Sequence, residues 1–220
     1  MAKIDFKKQL NTLYQPPSGE FQVVEVPTMQ YLMIDGEGDP GTAQAYQEAI
    51  EALYAVAYKL KFSSKGVLGK DYVVPPLEGL WWTEEMISSM TGITEESDWL
   101  DRFRASDRNS WQWTSMIMQP EWITREMFLE AREQVREKKD LPGLDGLRLE
   151  SYQEGLSVQI LHIGPFADEG PVLTRLHIQF LPQNNLVEAG KHHEIYLSDP
   201  RKTAPEKLRT ILRQPVREAA

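Results

Sequence analysis

The stretch Lys191–Pro200, reading KHHEIYLSDP, constrains the fold most, because it alternates like a β-strand and holds a carboxylate at its centre. Successive strand side chains point to opposite faces, so His192, Glu194 and Tyr196 share one face and His193, Ile195 and Leu197 the other. A mid-strand acid fits two environments: a solvated surface, or a partly dry cavity where its charge has a task. In the second, aromatic surroundings beside Tyr196 would raise the proton affinity of Glu194 and suit it to general acid or base work.

Two similar runs of elements flank this idea. In the first, Phe21–Val26 and Tyr31–Asp35 read as strands. Gly36–Gly41 turns the chain, with Asp39 as a helix cap and Pro40 in the first helical turn. That turn lacks the lysine and spacing of a phosphate loop. Tyr46, Ala49, Ile50, Leu53, Ala57 and Leu60 then recur at helical spacing over Thr42–Phe62, which makes Tyr54 and Tyr58 core or core-edge residues. Asp71–Trp82 and Trp111–Pro120 read as strands, with an insertion of two short helices over about 83–110 that could cover a pocket or pack as a surface flap. A solvated helix follows over Arg125–Lys139.

The second run has the same layout: strands at Leu149–Tyr152 and Ser157–Gly164, a helix over Pro171–Leu181, the strand around Glu194, a capping box Thr203-x-x-Glu206 and a last strand Thr210–Val216. The expectation is an α+β fold of two strand-helix-strand-strand modules related by an approximate twofold, with antiparallel sheets forming a central groove. The 220 residues form a single domain, with a first module at 20–140 and a second at 144–220; Met1–Pro17 reads as a lead-in arm.

Charge and composition remove several function classes. A net charge of -9 disfavours nucleic acid and anionic membrane as direct partners. The absence of cysteine excludes disulfides and thiolate sites, and the adjacent His192 and His193 point apart, so neither a metal nor a cofactor is expected. No signal peptide or membrane span is read, which points to the cytoplasm; a monomer or homodimer is expected.

Four of the six tryptophans fall in the strands 71–82 and 111–120. They are either ordinary core or the walls of a flat pocket for planar or cationic ligands, with Glu78 near one wall. In Gly164–Pro171, Asp168 and Glu169 are acids that a helix N-terminus favours with no further role needed.

The segments DYVVPPLEGLWW (71–82), WQWTSMIMQP (111–120) and the whole of Val158–Val216 resemble the GyrI-like small-molecule-binding family, related to the effector-binding domains of AraC-type and multidrug-sensing regulators. The resemblance implies a groove for lipophilic, planar or cationic molecules with a central glutamate matching Glu194. A stand-alone branch with a similar Trp-rich first half includes hydrolases that open the cyclopropane of DNA-alkylating antibiotics. On that resemblance Glu194 activates water, helped by an acid or phenol from the Gly-Pro turn. Phe166 replaces the turn tyrosine of relatives, and an extra turn residue leaves Asp168 and Glu169 as alternatives for the acid. The candidates are therefore Glu194, Glu169 and Tyr196 for catalysis, and Glu78, Trp81, Trp111, Trp113, Met116, Met118, His162 and Phe166 for ligand contact. The alternative function is a non-catalytic, gyrase-inhibitor-like protein whose acidic surface engages a basic enzyme.

Overall fold

The computed structural model of the chain describes residues 3–83, 95, 101 and 107–219. Among these, the strands are β1 (Gln22–Val26), β2 (Met29–Glu37), β3 (Leu77–Trp82), β4 (Gln112–Gln119), β5 (Arg148–Tyr152), β6 (Gly155–Ile163), β7 (Leu186–Glu188), β8 (His192–Tyr196) and β9 (Arg209–Glu218). The helices are α1 (Phe6–Gln9), α2 (Asn11–Tyr14), α3 (Gln44–Val67), α4 (Arg125–Arg136) and α5, which spans residues 170–183.

The sheet is antiparallel throughout, in the order β1-β6-β9-β8-β3-β4-β2-β5, with β7 paired to the end of β9. Matching β2, β3 and β4 with β6, β8 and β9 makes this order read alike from either end. The two halves meet at the β3–β8 ladder, whose central pair is Gly79 and Glu194. Their edges are exchanged: β1, which precedes β2, pairs with β6, and β5, which precedes β6, pairs with β2. This is the expected α+β fold with two related strand-helix-strand-strand modules.

Each half covers the same face of the sheet with a helix. The buried stripe of α3 (Ala49, Ala52, Leu53, Val56, Ala57, Leu60) packs on Leu32, Ile34, Trp113 and Ile117. Helix α4 is capped by Thr124, which accepts from the Met127 N–H, and seats Phe128, Ala131 and Val135 in that cluster. Helix α5 places Leu173 on Ile160 and Leu212, and Leu176 and Leu181 on Val158 and Val216. Its middle, Arg175–Phe180, widens into a π turn in which the Leu181 N–H reaches back to the Leu176 carbonyl. Pro182, which has no N–H to continue the ordinary ladder, follows at once. The lead-in arm crosses the other face, burying Leu13 and Tyr14 against Leu161, Ile195 and Ile211. No helix among the described residues is long and apolar enough to cross a membrane.

Local expectations differ from the structure in three places. Asp39 does not cap α3; it closes a turn by accepting from the Gly41 N–H, and the helix starts after Ala43. The strand expected from Asp71 begins only at Leu77, because Pro75 and Pro76 cannot donate to a ladder. The box Thr203-x-x-Glu206 caps nothing: Pro205–Lys207 is a single 3-10 turn before β9 begins, with Ala204 as the residue ahead of it. The two helices expected in the insertion, with Met86, Met90 and Trp99, lie outside the described residues.

Candidate functional site

A groove of about 2360 Å³ runs over the centre of the sheet between α3 and α5. Its floor is the β3–β8 ladder, where strand alternation turns Trp81, Glu194, His192 and Tyr196 toward it. Gly79, opposite Glu194, makes room for the Trp81 indole and the Tyr196 hydroxyl to meet above it, since a Cβ there would come within 2.7 Å of Trp81 Nε1 and 3.3 Å of the Tyr196 hydroxyl. The Trp81 indole N–H donates to the Tyr196 oxygen at 2.9 Å, and Tyr196 lies on the same face of β8 as Glu194, two residues away.

The aromatic wall is a run of touching rings. Trp111 meets Trp81 at 5.9 Å between centroids, Trp81 meets Tyr46 of α3 at 5.8 Å, and Phe166 stands edge-on to Tyr196 at 5.7 Å. Arg108 lies over the outer face of Trp111, 5.4 Å from its ring.

Two carboxylates close the polar end. Glu194 is 15% exposed, and burial pushes its proton affinity up to a pKa of about 7 against the opposing pull of the Tyr196 hydroxyl, His193 and Arg108. Glu169 stands just before α5, 4% exposed, with its Oε1 buried and lacking a hydrogen-bond partner. Burial, and then the charge of Glu194, push its pKa well up. Burial and mutual repulsion make it unfavourable for both carboxylates to be ionised at once. His192 lies 3.8 Å from Glu194 and is held neutral, its pKa brought down to about 3 by burial and by His177 and His193.

The structure thus brings Glu194, Glu169, Tyr196, Trp81, Trp111 and Phe166 together. Asp168 is exposed, so the Glu169 alternative is the one that faces the groove. Other candidates lie elsewhere. Trp113 is a core residue under the wall, 1% exposed, edge-on to Tyr46 and packed so tightly over Gly36 that a Cβ there would overlap its ring. His162 is not a groove residue; it is 7% exposed and its Nε2 sits 3.2 Å from the Pro165 carbonyl oxygen, bracing the turn that carries Phe166 and Glu169. Glu78, Met116 and Met118 point away from the groove, because their strand parity is opposite to that of Trp81 and Trp113. The methionines pack with Tyr31, Met33 and Leu80.

Glu78 belongs instead to a buried ionic group on the reverse face. It lies 3.0 Å from His193 Nε2, as an ion pair without good hydrogen-bond alignment, and accepts from the Tyr14 hydroxyl at 2.7 Å. His193 Nδ1 meets Glu154 at 2.9 Å, and Arg213 meets Glu154 at 3.0 Å, Gln159 at 3.0 Å and the Leu13 carbonyl at 2.7 Å.

Sequence alone does not single out Tyr46 or His192 as groove residues. Alternation places His192 beside Glu194 and is the signal that could have flagged it. Tyr46 sits in a helical stripe that reads the same for a core residue and a groove wall.

The model of the GyrI-like small-molecule-binding domain matches residues 109–217. An uncharacterized conserved protein from Listeria innocua has the same fold with a TM-score of 0.81 and 42% identity, covering 98% of this chain and 100% of its own. The chain belongs to the GyrI-like family. A hydrolase from Listeria innocua matches this GyrI-like chain at 40% identity and a TM-score of 0.78, over 98% of this chain and 100% of its own. The C-terminal domain of EcmrR shares the GyrI-like fold at 10% identity, with a TM-score of 0.53 over 91% of this chain and 98% of its own. Among curated proteins none matches this sequence.

Proposed function

We propose that the groove binds planar, lipophilic molecules and adds water to a strained electrophilic ring at Glu194. The observation that carries this reading is the pair of buried acids, Glu194 and Glu169, at the polar end of an aromatic wall. The family's small-molecule binding and the hydrolase from Listeria innocua support it. Glu194 accepts a proton from water as the oxygen bonds to a ring carbon. The carbon–carbon bond of the cyclopropane breaks, and its electron pair passes into the conjugated carbonyl, which takes the proton held by Glu169. Trp81 holds the Tyr196 hydroxyl beside Glu194, and the indoles exclude water from the ligand's faces.

The test uses the full chain with a planar dienone bearing a fused cyclopropane, followed by loss of the dienone absorbance and by mass for the gain of one water. Glu194→Gln is expected to cut turnover by about 100-fold or more while tryptophan quenching by the ligand persists. Undiminished turnover in that variant, or no quenching in the unaltered protein, would overturn the reading.

A further inference from the structure

We infer that the buried quartet Glu78, His193, Glu154 and Arg213 is a positioning cluster that sets the charge state of Glu194 from the reverse of the sheet. This rests on the reading of Glu194 as the carboxylate that takes water's proton in the groove.

The geometry comes first. His193 and Glu194 are consecutive residues of β8, so the imidazole and the carboxylate are separated only by the thickness of one strand. His193 is 0% exposed and lies between two carboxylates, Glu78 at 3.0 Å and Glu154 at 2.9 Å. Arg213 supplies the second positive charge, so with His193 protonated the quartet sums to zero. A buried ionic group of this kind is a poor source of stability, because desolvation cancels most of the attraction and apolar replacements often do as well. Its place behind the one carboxylate on the groove floor gives it a different use. Burial raises the proton affinity of Glu194, and an imidazolium behind it favours the ionised form; the Glu78 carboxylate, on the same side as that imidazolium, acts by the same Coulomb rule in the opposite direction.

The surrounding groups complete the account. On the reverse face the quartet meets Tyr14 of α2 and Tyr31 of β2, both buried phenols whose proton loss is pushed well up by burial and by Glu78. Tyr152 of β5 is pushed up to about 12 by burial and Glu154. On the groove face, Glu194 lies 3.8 Å from His192 and feels the charge or polarity of Tyr196, Tyr46 of α3, Glu169 and Arg108. His193 is the imidazole of the reverse-face group, held between two carboxylates. Burial opposes its charge, but Glu154 and Glu78 lift its pKa to about 9, so it stays protonated across the range in which Glu194 titrates.

The test needs no ligand, so it stands or falls separately from the hydrolytic reading. The Glu194 side-chain carbonyl is followed by carbon NMR against pH in protein labelled at glutamate, with Glu194→Gln used for assignment. His193→Gln is expected to raise the Glu194 midpoint by on the order of one pH unit, and Glu78→Gln to lower it by a similar amount. The double variant, which is again neutral, is expected to return it close to the original value. Shifts of the same sign in both single variants, or an unmoved midpoint in a folded variant, would overturn the inference, since only charge predicts opposite signs and their cancellation. The unaltered protein supplies an arm independent of variant folding: the imidazole nitrogens of His193 must report a doubly protonated ring at pH 7, and a neutral ring there overturns the inference as well.

Discussion

Gly79 stands opposite Glu194 at the centre of the β3–β8 ladder, and the missing side chain is what lets Trp81 reach Tyr196 above it. Where the two halves meet, one contributes an acid and the other a residue with no side chain. Gly79→Ala would drive a methyl group into the Trp81 indole N–H. The expected result is loss of the Trp81–Tyr196 hydrogen bond, a shift in tryptophan emission and a stability loss of about 1–3 kcal/mol by denaturant titration.

Turnover is expected to follow a bell-shaped pH profile. It rises as Glu194 ionises through about pH 7 and falls at higher pH as Glu169, whose pKa lies well up, loses its proton. Initial rates across pH 5–10, on the order of ten points, check this. A profile with no rising limb would separate Glu194 from the base role.

Stability carries the same signature with a definite sign. The folded state binds the Glu194 proton more tightly than the unfolded chain does, so this contribution is present below the ordinary glutamate range and is lost as pH rises to about 7. Glu194→Gln removes the penalty of a buried charge. It is therefore expected to be more stable than the parent at pH 8, by on the order of 2 kcal/mol, and no more stable at pH 4. Paired urea titrations measure this.

His193 is also raised, and its contribution is complete below the ordinary histidine range and disappears as pH climbs through about 9. Glu154 runs the other way: burial would raise it, but His193 and Arg213 hold it at about 2, so its contribution holds above the ordinary glutamate range and fails only in strong acid. The Tm is expected to fall between pH 6.5 and 9, the window set by these values. His193→Ala at pH 7 is expected to cost about 3–5 kcal/mol by leaving two buried carboxylates short of a partner.

The arm is part of the reverse-face core. Tyr14 donates to Glu78 at 2.7 Å, and the carbonyls of Thr12 and Leu13 accept from Gln159 and Arg213, each at 2.7 Å. Tyr14→Phe is expected to lower stability by about 1–2 kcal/mol, and removal of residues 3–15 to abolish cooperative thermal unfolding, read by circular dichroism.

Strand parity makes much of the groove legible in the sequence: His192, Glu194 and Tyr196 fall on one face because alternation requires it, and the two like runs of elements predict the paired layout. Parity also separates Glu78 from Trp81, yet it cannot say which face meets the groove, because the helices that decide this are fixed by long-range packing. His193 reads as a member of an apolar face. Its partner Glu154 lies in the short turn between β5 and β6, 39 residues away, and no local pattern joins them. Glu169 is legible as an acid at a helix start, but its burial depends on how that helix leans on the sheet. The capping box fails for a local reason, since Pro205 and the start of β9 leave no helix to cap.

The exchanged edge strands have a consequence for how the chain could be divided. A cut between α4 and β5 would leave the leading fragment holding β1, whose ladder partner β6 lies in the trailing one, and the trailing fragment holding β5, whose partner β2 lies in the leading one. Each piece alone would present unsatisfied backbone along three borders, the third being the β3–β8 ladder at the groove floor. Every strand that borders the cut finds its neighbour only in the opposite piece, so the groove floor exists only where both are present.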